Sequence, residues 1–470
     1  MVDISQSQTR LSEELLLLQE LGFSDIYVHD FPAVFRYRNS GDSDTDSDLR
    51  LLEVITAYLT TGNPGDVVAA AFDKREQICL VLAKSLTIGS ADYVATRAFL
   101  LALRNADTWI DLYPFLATHC KRNVDKRVRK LNESITDLFD DLQLAATEYR
   151  FYDIENQFPR SRGYRRIKYP DEPPTPQRFL RDLMHICVAQ SATFELQNNE
   201  ASLIQYMELF GAADALRRCS FLRHLTYESH DGECSVLKGR VERLKRRLDK
   251  VCQYARTAAL IRLVKRLPSV PFRWVEDTLV GTGEGSLEIC RNPMEVVERV
   301  LDQHPLSAEQ TEALLRHYPD LCKNWEQRSR FVNTHVHPEL RIILDLCRPL
   351  LSGPHPPPGH VAPLPIGCSK RSCLCCIVWI DLFNDTAGMK CVTGGTNGRP
   401  CDDWALPGAA GEMKQVSNWR YFDKSVVNGI HRRLDILIGS LTRTEEGETH
   451  ISENGGFPEG SPADWWLAAA

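Results

Sequence analysis

The sequence predicts a mainly α-helical N-terminal region followed by a smaller C-terminal α/β domain. Apolar residues recur every three or four positions through residues 49–155, 177–228 and 235–267, which is the spacing of amphipathic helices. Later in the chain, β-branched or apolar segments at 330–336 and 364–370 each lead into a further helical segment, so we expect strands to alternate with helices there. The 470 residues are enough for more than one domain.

These patterns divide the chain into segments of different character. Clusters of proline and of basic residues interrupt the helical pattern after residue 155, and a polar stretch rich in Gly and Pro closes the chain. We expect a helical N-terminal lobe (1–155), a basic and proline-rich linker (156–178), a helical lobe with a long basic amphipathic helix (179–325), an α/β domain (326–440) and a flexible tail (441–470).

The composition is that of an ordinary globular protein. Hydrophobic residues make up 43% and charged residues 25%, and no apolar run approaches the roughly 20 residues of a membrane-spanning helix. The N-terminus has the pattern of an amphipathic helix, not of a secretory signal, so we expect an intracellular protein, cytoplasmic or nuclear, without a membrane partner. The net charge of −7 argues against a protein that coats nucleic acid by charge alone, but it leaves room for a local basic groove.

Two short segments have the composition of ion-binding or phosphate-binding loops but lack essential residues. The acidic segment 40–48 does not place Gly and Glu where a calcium loop requires them, so it predicts a solvated loop. The Gly-rich segment 281–286 lacks the Lys-Ser/Thr pair of a phosphate-binding loop and predicts a plain loop. The proline-rich stretch 351–363, which contains His355 and His360, predicts an exposed loop.

Two basic segments have both a functional and a structural interpretation. Residues 156–178 place Arg and Lys among the aromatic residues Phe158, Tyr164 and Tyr169, and residues 240–250 place Arg and Lys on the long amphipathic helix. Either segment could contact the phosphates of a nucleic-acid strand. Either could equally be the solvated surface of a linker or of a bundle helix. The helical region as a whole would then act as a partner-binding or regulatory scaffold.

The residues that carry chemistry lie between 334 and 383, where a His-x-Glu and a Cys-x-x-Cys motif each open a predicted helix. His337, Cys373 and Cys376 supply three of the four ligands of a tetrahedral zinc, and Glu339 stands beside the position left for water. Zinc lowers the pKa of that water so that hydroxide acts as the nucleophile, and Glu339 would shuttle its proton. This combination is the signature of zinc-dependent nucleobase deaminases.

The segment resembles the cytidine deaminase-like superfamily, and most of all a branch of predicted nucleic-acid deaminases related to bacterial toxin deaminases and expanded in fungi. The matching motifs are H-x-E at 337–339, G-C-S-K-x-S-C-x-x-C at 367–376, and T-x-G followed by W-x-x-P within 396–407. The resemblance covers roughly the last third of the chain. It implies a three-layer α/β/α deaminase-like domain with a further strand at 389–396 and a closing helix at 420–440. It also implies a substrate that contains cytosine or adenine, free or within single-stranded nucleic acid.

The sequence departs from the usual superfamily motifs at two positions and leaves the ligand set open at two others. Pro338 replaces the usual Ala between His and Glu, and Ser372 replaces the usual Pro before the first Cys; Ser372 would suit the N-cap of the second helix. Cys375 could take the place of Cys376 as a ligand. Cys368 could be a fourth protein ligand, which would close the site and make it structural.

Three further residues are candidate substrate contacts. Thr396 and Asn397 would line a pocket, with the amide reading a base edge, and Trp404 would stack on the base or simply pack in the core. We expect His335 to point away from the site.

Two hypotheses describe the function of the protein. The first hypothesis is a zinc-dependent hydrolytic deaminase. The second is a non-enzymatic interaction or scaffold protein with a structural zinc, and Glu339 favours the first because a structural site needs no proton shuttle.

Overall fold

The computed structural model describes residues 4–34, 43–227, 234–276, 283–301, 306–351, 362–408 and 419–442. Within these ranges the α-helices are, in chain order, α1 (Ile4–Glu20), α2 (Ser43–Leu59), α3 (Ser90–Asn105), α4 (Tyr113–His119), α5 (Lys121–Glu148), α6 (Ile154–Gln157), α7 (Arg162–Lys168), α8 (Pro176–Ala192), α9 (Glu200–Arg217), α10 (Ser220–Tyr227), α11 (Cys234–Cys252), α12 (Ala258–Arg266), α13 (Pro293–Val300), α14 (Ala308–His317), α15 (Leu321–Gln327), α16 (Pro338–Leu351), α17 (Leu374–Ala387) and α18 (Trp419–Thr442). The β-strands are β1 (Val68–Asp73), β2 (Cys79–Lys84), β3 (Phe272–Trp274), β4 (Gly285–Glu288), β5 (Phe331–Thr334), β6 (Leu364–Cys368) and β7 (Cys391–Thr393).

The strands form one mixed sheet and one short antiparallel ribbon. The mixed sheet has the order β3-β2-β1-β6-β7, in which β1 runs antiparallel to both of its neighbours while β2 pairs with β3 and β6 with β7 in parallel. The ribbon joins β4 to β5. Helix α16 packs on the centre of the mixed sheet, and α17 packs on β7 and against both α16 and α18. A helical N-terminal region therefore precedes a C-terminal mixed sheet covered by helices, which confirms the predicted fold class.

The elements predicted around the candidate site are present. The predicted strands at 330–336 and 364–370 appear as β5 and β6, and the strand implied at 389–396 appears as β7. The implied closing helix at 420–440 is α18. Short helices that begin at Pro338 and Leu374 follow the two motif strands, so both motifs open helices as expected.

The prediction that residues 49–155 are helical throughout is wrong at one place. Residues 68–73 and 79–84 form the hairpin of β1 and β2 instead. The sequence of β1, VAAAFD, favours helix by its alanines, but the strand lies between β2 and β6 and is buried along almost its whole length. A short apolar run of this kind is typical of a central strand and cannot be separated from a buried helix by periodicity.

One smaller prediction, for the acidic segment, also differs from the structure. The acidic residues 43–48, expected in a solvated loop, are the first turns of α2, where Asp44 and Asp46 favour the positive end of the helix dipole. Helix α7 lies within the predicted linker, and its buried Arg165 binds Glu155 at 2.6 Å. The predicted features at 281–282 and 352–361, including His355 and His360, and the tail from 443 onward lie outside the described residues.

The chain forms two compact units. Unit 1 comprises Met1–Glu53, Val67–Ile88 and Pro271–Ala470, and unit 2 comprises Val54–Asp66 and Gly89–Val270. The mixed sheet belongs to unit 1 and takes β1, β2 and β3 from outside the predicted domain at 326–440. In unit 2, helices α5, α8, α9 and α11 pack on one another. Among the described helices, none combines the length and the apolar character needed to cross a bilayer.

Gly367, the first residue of the cysteine motif at 367–376, is required by close packing. A Cβ atom at Gly367 would lie 2.5 Å from the carbonyl carbon of Leu52 and 2.6 Å from the backbone nitrogen of Glu53. Helix α2 can approach β6 this closely because position 367 has no side chain. The approach fixes the strand that leads directly into the cysteine motif.

Candidate metal centre

The first motif lies where the chain enters α16. The backbone carbonyl of His337 accepts hydrogen bonds from Leu340 at 3.0 Å and from Arg341 at 3.1 Å, so His337 is the residue that caps the helix. Pro338 occupies the first helical position, where its missing N–H has no partner to lose. The side chains of His337 and Glu339 are thereby held at the N-terminal end of α16.

The second motif lies at the start of α17. Cys373 has extended backbone angles and is the N-cap residue of this helix, and its carbonyl accepts from Ile377 at 3.2 Å. The prediction that Ser372 is the N-cap is therefore wrong by one position. Cys376 follows in the first helical turn, so one turn of α17 brings both thiols to the same end of the helix.

His337, Cys373 and Cys376 converge on one point. His337 Nδ1 lies 3.6 Å from Cys373 Sγ and 3.3 Å from Cys376 Sγ, and the three atoms lie within 4.8 Å of one another. A tetrahedral zinc with Zn–S of about 2.3 Å and Zn–N of about 2.0–2.1 Å requires N···S distances of about 3.6 Å. The three side chains are therefore close enough together to hold one metal ion.

Burial makes a cation at this point chemically reasonable. Both thiols are buried, and their removal from water raises the pKa of Cys373 and that of Cys376 above the usual value of a cysteine. Thiolates in such surroundings require a neighbouring positive charge, which a metal ion provides by displacing the protons.

Glu339 lies beside this point and away from solvent. Its side chain is only 3% exposed, and it hydrogen-bonds to the Cys376 thiol, an interaction that adds to burial in raising the pKa of that thiol. The carboxylate thus stands next to one ligand without belonging to the group of three. A carboxylate in this position could accept and donate a proton next to a metal ion held by the three side chains.

Asp403, which no motif in the sequence singled out, contacts the far side of the His337 ring. Asp403 Oδ1 lies 3.4 Å from His337 Nε2. Burial raises the pKa of the Asp403 carboxyl, but hydrogen bonding and charge interaction with His337 outweigh it and lower the pKa to about 2. Metal-binding histidines commonly use their second nitrogen in this way, because a carboxylate fixes the orientation of the ring. Asp403 directly precedes Trp404, which the motif already placed at the site, and that adjacency was the available signal.

His335 lies closer to the site than expected. Its backbone N–H donates to the carbonyl of Asp403 at 2.9 Å, and Ala405 donates back to the carbonyl of His335 at 3.0 Å. Its ring centroid is 5.2 Å from that of His337. The expectation that it points away is wrong, because residues two apart in extended chain share a face. The imidazole atoms of His335 and His337 and the Asp403 carboxylate form a second group within 4.8 Å.

A buried ion pair supports the backbone just before His337. Glu284 accepts a hydrogen bond from the Val336 backbone at 2.8 Å and binds Arg341 at 2.6 Å. Arg341 in turn donates to the Val336 carbonyl at 2.9 Å. The two side chains are 13% and 7% exposed. The Gly-rich loop that carries Glu284 therefore has a structural role that its sequence did not reveal.

Replacing Glu284 by Ala is expected to lower the free energy of unfolding by about 3–5 kcal/mol, because it removes a carboxylate that pairs with the buried Arg341. Glu288→Ala is the control, since Glu288 pairs with Arg330 at the surface and should contribute about 1 kcal/mol or less. Urea unfolding of both variants measures the difference. Equal losses in the two variants would contradict the assigned role.

The three predicted substrate contacts occupy different environments. Thr396 is fully buried, and its hydroxyl donates to the Ser372 carbonyl at 2.9 Å and accepts from the Gly398 backbone. Asn397 is exposed. Trp404 is fully buried, and its indole N–H has no hydrogen-bond partner among the described residues. Their roles in binding a substrate remain predictions.

Other cysteines lie near the site but do not belong to the group formed by His337, Cys373 and Cys376. Among the described residues, the groups of ligand atoms within 4.8 Å of one another include neither Cys368 nor Cys375. Cys401 is different, because it hydrogen-bonds with Cys373, and this contact together with burial raises the pKa of the Cys401 thiol. Cys401 was not considered from sequence because it lies apart from the dense cysteine segment.

Comparison with known proteins agrees with this geometry. Residues 336–408 match the family model described as "OTT_1508_deam:-like deaminase". The matched range contains His337, Cys373, Cys376, Glu339 and Asp403. No curated protein and no solved structure matches the chain. The C-terminal part of this chain therefore contains a deaminase-like domain with a group of side chains that could hold a metal ion.

Proposed function

We propose that this domain is a zinc-dependent hydrolytic deaminase of a nucleobase, with cytosine or adenine as the reacting base. The observation that carries the proposal is the buried Glu339 carboxylate beside His337, Cys373 and Cys376. Three spaced ligands and one adjacent carboxylate are the parts that nucleobase deamination requires. The family match over residues 336–408 supports the same reaction class.

The side chains have separate tasks in this proposal. His337, Cys373 and Cys376 would hold zinc, which when bound lowers the pKa of a coordinated water toward neutrality. Glu339 would carry one proton from the attacking water to a ring nitrogen, and then a second proton, from the hydroxyl group formed by the addition, to the amino group that leaves as ammonia. A carboxylate shielded from solvent is suited to this transfer, because it does not lose the proton to bulk water between the two steps.

Asp403 is a positioning residue in this scheme. Its carboxylate would hold the Nε2 side of His337 so that Nδ1 faces the two thiols. Its carboxylate contacts the opposite side of the ring from Nδ1, the atom that faces the Sγ atoms of Cys373 and Cys376.

Replacing Asp403 by Ala is expected to weaken zinc binding about 10- to 100-fold, because the His337 ring loses its fixed orientation. Competition with a chromophoric zinc chelator measures the affinity directly and does not depend on activity. Asp402→Ala is the matched control, since Asp402 binds Gln19 at 3.0 Å and not the histidine. Similar losses of zinc affinity in both variants would contradict the positioning role of Asp403. An unfolding midpoint that is lowered in metal-free Asp403→Ala but not in metal-free Asp402→Ala would also contradict it.

The second hypothesis, a scaffold protein with a structural zinc, is favoured by one contact. Cys401 hydrogen-bonds with Cys373 and could supply a fourth protein ligand, which would close the site. Zinc titration of Cys401→Ser separates the two cases. Unchanged affinity agrees with an open catalytic site, and a loss as large as that of Cys373→Ala would favour the closed one.

The proposed activity is tested by removing and restoring the metal. Ammonia release from cytosine- and adenine-containing substrates should disappear after treatment with a strong chelator and return on addition of one equivalent of zinc. Activity that survives complete removal of zinc would exclude the mechanism.

A further inference from the structure

Helices α5 and α11 of unit 2 pack against each other in antiparallel directions. Arg240, near the start of α11, binds Asp141 in the second half of α5 at 2.7 Å. Arg127, near the start of α5, donates to the carbonyl of Lys250 at the end of α11 at 3.3 Å. The two contacts set the register along the pair, so the second and third turns of α5 face the later turns of α11.

Along this pair of helices each helix carries two cations that are four residues apart. Lys126 and Lys130 lie on α5, and Arg243 and Arg247 lie on α11; we refer to these four residues as the α5–α11 basic surface. Lys126 and Arg243 are exposed, while Lys130 and Arg247 are half-buried. Within the described parts of the chain, none of the four forms a hydrogen bond or a close ion pair. Arg240 on the same helix differs, because two aspartates neutralise it.

Little acidic charge is available to neutralise this surface. The charge of Glu133 acts on both Lys130 and Arg247. Glu133 is also the ion-pair partner of Arg129, at 3.9 Å. One carboxylate is thus shared among several cations, and the surface keeps a net positive charge although the whole chain has a formal charge of −7.

The arrangement is unfavourable for an isolated pair of helices. Like charges four residues apart destabilise a helix. Burial first, and then the charge of Arg247, lowers the pKa of Lys130. Burial also lowers the pKa of Arg247, and the charge of Arg243 adds to this effect. An anion placed across the two helices would relieve the repulsion among all four cations.

We propose that the α5–α11 basic surface binds the phosphodiester backbone of a single-stranded nucleic acid. Phosphates repeat along a strand, so neighbouring cations can contact successive phosphates and release the counterions condensed on them. The choice of an unpaired strand rests on the proposed function, because a deaminase acts on a base outside a duplex. The surface itself would bind the backbone whether or not the metal centre is active.

The test is binding of the full-length Glu339→Gln protein to fluorescein-labelled oligothymidylate and oligouridylate, followed by anisotropy over a series of NaCl concentrations. In the fourfold variant Lys126→Gln, Lys130→Gln, Arg243→Gln and Arg247→Gln, the slope of log K against log salt should fall in magnitude by about 2.8, since each phosphate contact of a single strand contributes about 0.7. The same contacts correspond to a loss of affinity on the order of 10²- to 10³-fold at about 0.1 M salt.

Arg162→Gln with Arg166→Gln is the control, because these residues are two exposed arginines four residues apart elsewhere in the same unit. It is compared with Lys130→Gln and Arg247→Gln, which remove the same charge. The control pair should leave the salt slope unchanged, while the α5–α11 pair should reduce it by about 1.4. The α5–α11 variants should also fold with an unchanged or higher thermal midpoint, since they relieve repulsion.

Several results would overturn the proposal. They are wild-type affinity in the fourfold variant, an equal loss in the control pair, or tighter binding of a duplex of the same length. Binding of polyglutamate through the same four cations, as tight as that of the strand, would assign the surface to an acidic protein partner instead. Binding is read without turnover, so failure of the deaminase proposal would leave a positive binding result intact, and the reverse also holds.

Discussion

Cys373→Ala protein is expected to lose zinc at concentrations where the wild-type protein retains one ion per chain. Apparent binding free energies of zinc sites are about 10–16 kcal/mol, so one ligand of about four contributes roughly 3–4 kcal/mol, or a factor of about 10²–10³ in Kd. Cys373 Sγ lies 3.6 Å from His337 Nδ1. Among the described residues, the group of ligand atoms formed by His337, Cys373 and Cys376 contains no further cysteine, and Cys401 contacts Cys373 without belonging to it. Zinc content after dialysis against a buffered zinc solution measures the effect.

Cys375→Ala is the matched control for that experiment. Cys375 is the neighbour of Cys376 and is as deeply buried, but it does not belong to the group of three. Its replacement should lower stability modestly through the lost packing and leave zinc bound. If Cys375→Ala loses zinc and Cys376→Ala keeps it, the ligand assignment is reversed.

Glu339→Gln is expected to retain zinc and to lose about 10²- to 10⁴-fold in turnover, the usual contribution of a general acid–base group. The glutamine has nearly the same shape and can still hydrogen-bond to Cys376, but it cannot carry a proton from water to the leaving group. Zinc content and unfolding should therefore be close to those of the wild-type protein.

Glu339→Asp gives a second reading of the same role. The shorter side chain keeps a carboxylate at the start of α16, so some of the lost activity should return. Restoration by Asp and not by Gln identifies proton transfer as the function of this position. Similar rates in wild type and Glu339→Gln would mean that another group moves the proton.

The C-terminal motifs could be predicted because they depend on local chemistry. His337 and Glu339 are two residues apart, and so their joint position at one helix end follows from the sequence alone once a helix begins at Pro338. Cys373 and Cys376 are held together by one helical turn in the same way. A pattern of this kind needs little knowledge of the tertiary fold.

The missed features depend on contacts between distant segments. Strand β1 is apolar and rich in alanine, and only its pairing with β2 and β6 makes it a strand. Glu284 reaches Val336 and Arg341 across about fifty residues of sequence, and Asp403 reaches His337 across more than sixty. Local periodicity in the sequence does not indicate such pairs, although Asp403 directly precedes Trp404, which the motif had already identified.

The central claim is that the domain deaminates a nucleobase, and one comparison tests it most directly. Wild-type and Glu339→Gln proteins, adjusted to equal zinc content, are incubated with free bases, nucleosides, single-stranded DNA and single-stranded RNA, and released ammonia is measured. We expect the wild-type protein to release ammonia in a zinc-dependent way from at least one class of substrate that contains cytosine or adenine, and the variant to be slower by about two to four orders of magnitude. Absence of ammonia from every class with zinc-loaded, folded wild-type protein would contradict it.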